Sequence, residues 1–110
     1  MRIYIATPIN ARKGKDMREK LAAAKHRIEL LKDILSDDEH FKDHELISTF
    51  DVPHADRYNE TFILGDCVTA VLNCDGIYLD HGWQTSKGCN LEYRAAKIYG
   101  KKIYEFDKLD

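Results

Sequence analysis

The run Ser86-Lys87-Gly88-Cys89-Asn90-Leu91-Glu92 sets a hydroxyl, an ammonium and a glycine at the head of a predicted helix, with a carboxylate just beyond. Free backbone amides at a helix N-terminus form an anion site, so Ser86 or Lys87 can bind a phosphate there. Plain N-capping by Ser86, worth about 1 kcal/mol, accounts for the same serine. Glu92 is harder to explain. On a wheel of about 100° per residue, Leu91, Ala95, Ala96, Ile98 and Tyr99 share the apolar sector and Tyr93, Arg94 and Lys97 the wet one, while Glu92 falls among the apolar residues. Glutamate is almost never fully buried unless paired. It is therefore capped by an arginine or backbone amides, exposed near the helix end, or held ionised at a ligand crevice. The helix dipole favours the charge in that last setting, where a nucleophile or general base would stand.

Other residues with chemical potential carry plainer readings. Asp66 lies on the polar margin of an earlier predicted helix, the ordinary place for a solvated acid. Trp83 either stacks on a base or closes the surface as a lid. His40 and His44 stand four apart, with His54 further on, but in a Ser/Asp/Glu-rich loop where a solvated face outweighs a metal site. Cys67, Cys74 and Cys89 include no CxxC pair, which indicates neither a disulfide framework nor a zinc ribbon. Cys67 and Cys74 read as small buried hydrophobes. No metal and no cofactor are expected.

The elements that must position these groups follow from hydrophobic period. Arg2 to Ala6 is a β-type run ended by Thr7-Pro8. Met17, Leu21, Ala24, Ile28, Leu31 and Leu35 make one stripe of an amphipathic helix from about Lys15 to Leu35. A strand is expected at Leu46 to Phe50, and a helix from Arg57 to Asn73 with Asp56 as N-cap and Ile63, Cys67, Ala70, Val71 and Cys74 inward. Gly76 to Leu79 is a third strand and Lys87 to Tyr99 a third helix stopped by Gly100; Lys102 to Phe106 is the last strand. The order βαβαβαβ predicts a single α/β domain over residues 1–110, small, three-layered and flavodoxin/Rossmann-like, with a four-stranded, mainly parallel sheet. Ligands in such sheets bind outside the strands' carboxyl ends. That rule selects Thr7 to Asn10, Asp51 to Asp56, Asp80 to Ser86 and the start of the third helix. A receiver domain is excluded, although Asp80 ends the third strand, because Ala6-Thr7 stands where its acidic pair belongs.

With 110 residues, 44% apolar and 33% charged, the chain has the composition of one folded domain. A core at that size is thin enough for a partner subunit to help. The net charge of −2 is spread without a basic stripe, which argues against binding a nucleic acid polymer. The first residues read as a strand rather than a signal peptide, and no apolar run approaches the roughly 18 residues of a membrane span, so a cytoplasmic protein with no membrane partner is expected.

At these residues the chain resembles the nucleoside 2-deoxyribosyltransferase superfamily, which includes the 2′-deoxynucleoside 5′-monophosphate N-glycosidases, and is most similar to a small uncharacterised branch of it. The resemblance runs through Ile3-Tyr4-Ile5-Ala6-Thr7-Pro8, Asp66, Cys74-Asp75-Gly76-Ile77-Tyr78 and the Ser86 to Glu92 run. It implies that Glu92 is the nucleophile, that Asp66 assists at the leaving base or sugar, and that Tyr4 lines the sugar pocket, a residue that core packing explains equally well. Thr7, Pro8 and Ile9 of the first turn, with Trp83, Ser86, Lys87 and Gly88, would complete the substrate site. Nucleoside-specific transferases carry an acid six residues before the nucleophile, whereas the monophosphate glycosidases carry a phosphate-binding serine. Ser86 at that position favours a 5′-phosphorylated ligand. The first turn lacks the glycines of some relatives, and Cys89 and Asn90 replace the usual small residues. The implied activity is cleavage or exchange of the N-glycosidic bond of a (deoxy)nucleoside or its 5′-monophosphate through a covalent glycosyl-Glu92 intermediate. A catalytically silent nucleotide-binding module is the alternative. Relatives are oligomers, so a homodimer or higher homo-oligomer is expected.

Overall fold

In the computed structural model, which describes residues 1–9, 15–52 and 60–108, the alternation of the first strand decides the layering. β1 (Arg2–Ala6) turns Ile3 and Ile5 to one face of the sheet and Tyr4 and Ala6 to the other, as the two-residue period of a strand requires. β2 (Glu45–Ile47), β3 (Gly76–Leu79) and β4 (Lys102–Glu105) complete a four-stranded sheet in the order β2-β1-β3-β4. Every pairing is parallel, with Tyr4 level with Ile47 on one side and Ile77 on the other. The expected flavodoxin-like α/β architecture is the observed one, and the sheet is wholly rather than mainly parallel.

α1 (Met17–Ser36) covers the face of Ile3, Ile5 and Tyr78, burying Ile28, Leu31 and Leu35 with Phe41 beside them. Asp16 caps it, accepting from the Glu19 amide at 3.0 Å. α2 (Glu60–Leu72) and α3 (Lys87–Ile98) cover the opposite face, where Cys67, Val71, Cys74, Cys89 and Ala96 pack on Tyr4, Ala6, Ile77 and Leu79. Cys67 and Cys74 are buried, as expected. Gly76 is required where β3 is squeezed between its neighbours: a Cβ there would stand 3.0 Å from both Ile3 Cδ1 and the Lys102 carbonyl oxygen.

Three sequence expectations need correction. The second strand ends at Ile47, because Ser48 and Asp51 turn the chain into a 3-10 helix at Thr49–Asp51. Ser48 Oγ accepts from the Phe50 amide at 3.2 Å, and the Ser48 amide donates to Asp51 at 2.9 Å. This reciprocal cap outweighs the strand preference of Thr49 and Phe50. The stripe of α1 starts later than expected, Met17 being exposed. In α3 the buried residues are Cys89, Glu92 and Ala96, while Leu91, Ile98 and Tyr99 face outward, so the helix is rotated relative to the predicted apolar sector. Asn10, His54, the expected cap Asp56, the expected start at Arg57 and the side chain of Ile63 lie outside the description. No helix among the described residues is long and apolar enough to cross a membrane.

Candidate active site

Glu92 stands in the second turn of α3, turned down onto the sheet. It is 6% exposed, and its Oε2 is buried with no hydrogen-bond partner among the described residues. Burial pushes its pKa up to about 7, against the opposing pull of a hydrogen bond from the Tyr4 hydroxyl. The fully ionised carboxylate expected from the helix dipole is not what results. The dipole acts within the first turn, and one turn further in, desolvation wins.

Tyr4 reaches this carboxylate from the middle of β1. Its own pKa lies well above the usual value, first through burial and then through the nearby charges of Glu92 and Cys67. The single phenolic proton is within reach of both the Glu92 carboxylate and the Cys67 thiol. Cys67 presents that thiol from α2 and donates to Thr49 Oγ1 at 3.2 Å; burial and then Glu92 push its pKa up. A polar row thus runs Glu92, Tyr4, Cys67, Thr49 through the otherwise apolar layer beneath α2 and α3. Cys67 and Thr49 were not singled out from the sequence, where a lone cysteine between apolar residues reads as core. The 3-10 turn that delivers Thr49 is legible only in the Ser48-x-x-Asp51 spacing.

Asp66 is half-buried and lines an open hollow of about 500 Å³ between β2 and α2, with Arg2, Glu45, Asp51, Thr69 and Asn73. Glu92 does not line this hollow. The Cys67 thiol feels the charge of both carboxylates, that of Glu92 the more strongly.

The loop after β3 is tightly tied. Gly82 takes a left-handed conformation, φ 83°, to enter the 3-10 turn Trp83–Thr85. Asn90 Nδ2 donates to the carbonyls of Gln84 at 2.9 Å and Ser86 at 2.8 Å, holding that turn against α3. Ser86 caps α3, its Oγ accepting from the Cys89 amide at 3.2 Å, and Lys87 beside it is exposed. Gly88 lets α2 approach, since a Cβ there would meet Leu64 at 3.2 Å. Trp83 is half-buried: its ring packs on Tyr93 at 4.8 Å and its Nε1 donates to Glu105 at 3.4 Å. Of the first turn, Pro8 is fully buried, Ile9 is half-buried, and Thr7 donates to Asp80 Oδ2 at 2.7 Å.

Asp80 anchors the strands' carboxyl ends. It also accepts from Arg27 Nη2 at 2.8 Å and Nε at 3.1 Å, and from the His81 amide at 2.7 Å. Burial alone would raise its pKa, but Arg27, Thr7 and the amide outweigh burial and hold it below the ordinary carboxylate range. On the far side of the molecule His44 stacks edge-on against Phe41. Among the described residues no group of three or more His, Cys, Asp or Glu is arranged to hold a metal, and His54 lies outside them.

What this arrangement offers is a carboxyl kept from water, one oxygen uncommitted, and a proton that comes and goes near neutral pH. Perturbation of that kind concentrates at functional sites. Residues 1–105 match the family model described as a domain of unknown function, DUF4406. No curated protein matches the chain.

Proposed function

The chain belongs to the DUF4406 family, and from the setting of Glu92 we propose that it cleaves or exchanges the N-glycosidic bond of a (deoxy)nucleoside or its 5′-monophosphate. The uncommitted Oε2 of Glu92, buried beneath α3 in a wholly parallel α/β sheet, is the observation that carries this reading. The resemblance of the Ser86 to Glu92 run to the nucleoside 2-deoxyribosyltransferase superfamily supports it.

Ionised Glu92 attacks C1′ of the sugar as the C1′–N bond breaks through an oxocarbenium-like transition state. The bonding pair leaves on the base nitrogen, which takes a proton from water, with Asp66 assisting at the leaving base or the sugar. Water or a second base then displaces the carboxylate from C1′. A 2-deoxy sugar suits this course, because it lacks the electron-withdrawing hydroxyl beside the developing charge. Tyr4 steadies the carboxylate, while Ser86 and Lys87, at the helix N-terminus, meet the 5′-phosphate. The capping bond uses Ser86 Oγ as acceptor and leaves its proton to donate. A homo-oligomer working on the cytoplasmic nucleotide pool is part of the same reading.

The test is release of free base from a panel of deoxynucleosides, ribonucleosides and their 5′-monophosphates. Wild type should release base, with kcat/KM rising through about pH 7 as Glu92 ionises. Glu92→Gln should lower the rate by at least about 10³-fold. Equal rates for the two proteins overturn the role of Glu92. Nucleotide binding without product, undiminished in Glu92→Gln, supports the silent binding module instead.

A further inference from the structure

Glu92, buried, is the sole acid of α3, so every charge that helix shows to solvent is positive. Lys87, Leu91, Arg94 and Ile98 follow one another at steps of four, three and four, which sets them in one row along the helix. All four are exposed, Leu91 by 46% and Ile98 by 78%, and Tyr99, also exposed, follows at the helix end. A row of alternating cation and hydrophobe with no acid is ill suited to face water alone.

The complementary row lies on the opposite layer. In the second half of α1, Glu29, Leu30, Asp33 and Ile34 are exposed, Leu30 by 45% and Ile34 by 51%, and exposed Asp37 follows at the helix end. Glu29, Asp33 and Asp37 follow one another at steps of four in one line and Leu30 and Ile34 in the line beside it, so this half of the helix sets an acidic edge next to an apolar one; the exposed bases Lys25 and His26 lie one turn earlier. The two faces are opposite in charge, and each carries exposed hydrophobes that a partner would cover. Two copies of either row would set like charges together, which costs free energy at an interface.

We propose that the α3 row of one molecule docks on the α1 row of a second copy, giving a head-to-tail assembly. α1 and α3 cover opposite faces of the same sheet, so each molecule keeps one row free after the first contact. A contact between different surfaces of identical chains does not end at two; it closes into a ring or continues as an open array. This contact is one way to build the homo-oligomer of the proposed function, but it does not depend on the glycosidic chemistry: Lys87 is the one residue the two share, and Asp33 and Arg94, on which its test rests, belong to no part of the proposed site.

Sedimentation velocity over a range of concentrations at low and high salt tests it. Wild type should gain mass with concentration at low salt, and the association should weaken at least tenfold at high salt, as charge pairing is screened. Asp33→Lys and Arg94→Glu, both exposed, should each remain monomeric with an unchanged circular dichroism spectrum. Mixing the two variants should restore association, because each then offers the charge the other lacks. A wild type that stays monomeric at every concentration overturns the proposal, as does an oligomer whose mass neither variant changes. Binding of α3 to anionic lipid vesicles by a protein that stays monomeric in solution also overturns it.

Discussion

Burying Glu92 with an unpaired oxygen works against the fold, and the direction of its pKa shift says how that cost varies with pH. A carboxyl lifted to about 7 when folded returns to about 4.3 when unfolded. Below the lower value both states are protonated, and the group takes nothing from stability. Between the two values the folded chain holds a proton that the unfolded chain has released. Stability therefore falls as pH rises through this window and levels off above it. A shift of that size corresponds to a loss on the order of 3 kcal/mol. Glu92→Gln keeps the shape, abolishes the titration and is expected to be more stable than wild type at pH 8 but not at pH 4. Urea unfolding of both proteins at the two pH values reads the difference directly, and equal pH slopes would show that Glu92 is solvated. The same trade accompanies catalytic groups in general, where activity needs a residue that packing alone would reject.

At the scale of elements, hydrophobic period carried most of the information. The apolar step of α1, the short runs of β1 and β3 and the alternation of strands with helices together specify a parallel α/β sheet, and those elements stand where periodicity places them, within a residue or two at their ends. Period failed where apolar residues serve something other than the core. In α3 the outward Leu91, Ile98 and Tyr99 outweigh the inward Cys89 and Ala96 in bulk, so a wheel drawn by hydrophobicity points to the wrong side. Glu92 was still legible, because it falls inside the apolar sector of the wheel and inside the buried one alike. The Glu92, Tyr4, Cys67, Thr49 row was legible only in its first two members, since nothing local ties a thiol on α2 to a hydroxyl that a 3-10 turn delivers. Gly76 also looks ordinary in sequence, as one more turn glycine before a strand. Its place between Ile3 and the Lys102 carbonyl gives a sharper expectation. Gly76→Ala should stiffen the unfolded chain, a gain of roughly 0.5–1 kcal/mol, yet force apart a β3–β4 pairing whose carbonyl has no room to yield, at about 1–3 kcal/mol. A net loss of stability in chemical denaturation is the expected outcome; a gain would show that the strands spread freely there.

Across the whole molecule, the two core layers are separated by the sheet, and at its carboxyl end one ion pair spans the segments that meet there. Arg27 comes from α1, Asp80 follows β3, Thr7 follows β1, and the guanidinium lies 5.0 Å over the Phe106 ring, beyond β4. The Asp80 side chain is wholly buried, whereas Arg27 keeps 24% of its side chain exposed. Loss of the pair is therefore asymmetric. Without Asp80, the guanidinium can turn toward water; without Arg27, the carboxylate stays in the interior without its cation. Arg27→Met, which keeps much of the packing length, should cost about 3 kcal/mol, the lower end for breaking a buried pair, because Thr7 and the His81 amide still serve the carboxylate. That is a large part of the 5–15 kcal/mol typical of a domain. Arg2 and Glu45 make the contrasting case: they pair at 3.1 Å across β1 and β2, but their side chains are 51% and 60% exposed. Glu45→Gln should change stability by less than about 1 kcal/mol. Both variants measured by urea unfolding beside wild type decide the matter. Similar losses for the two would mean that the Asp80 carboxylate is reached by solvent, and that the strands' carboxyl ends are held by packing rather than by this pair.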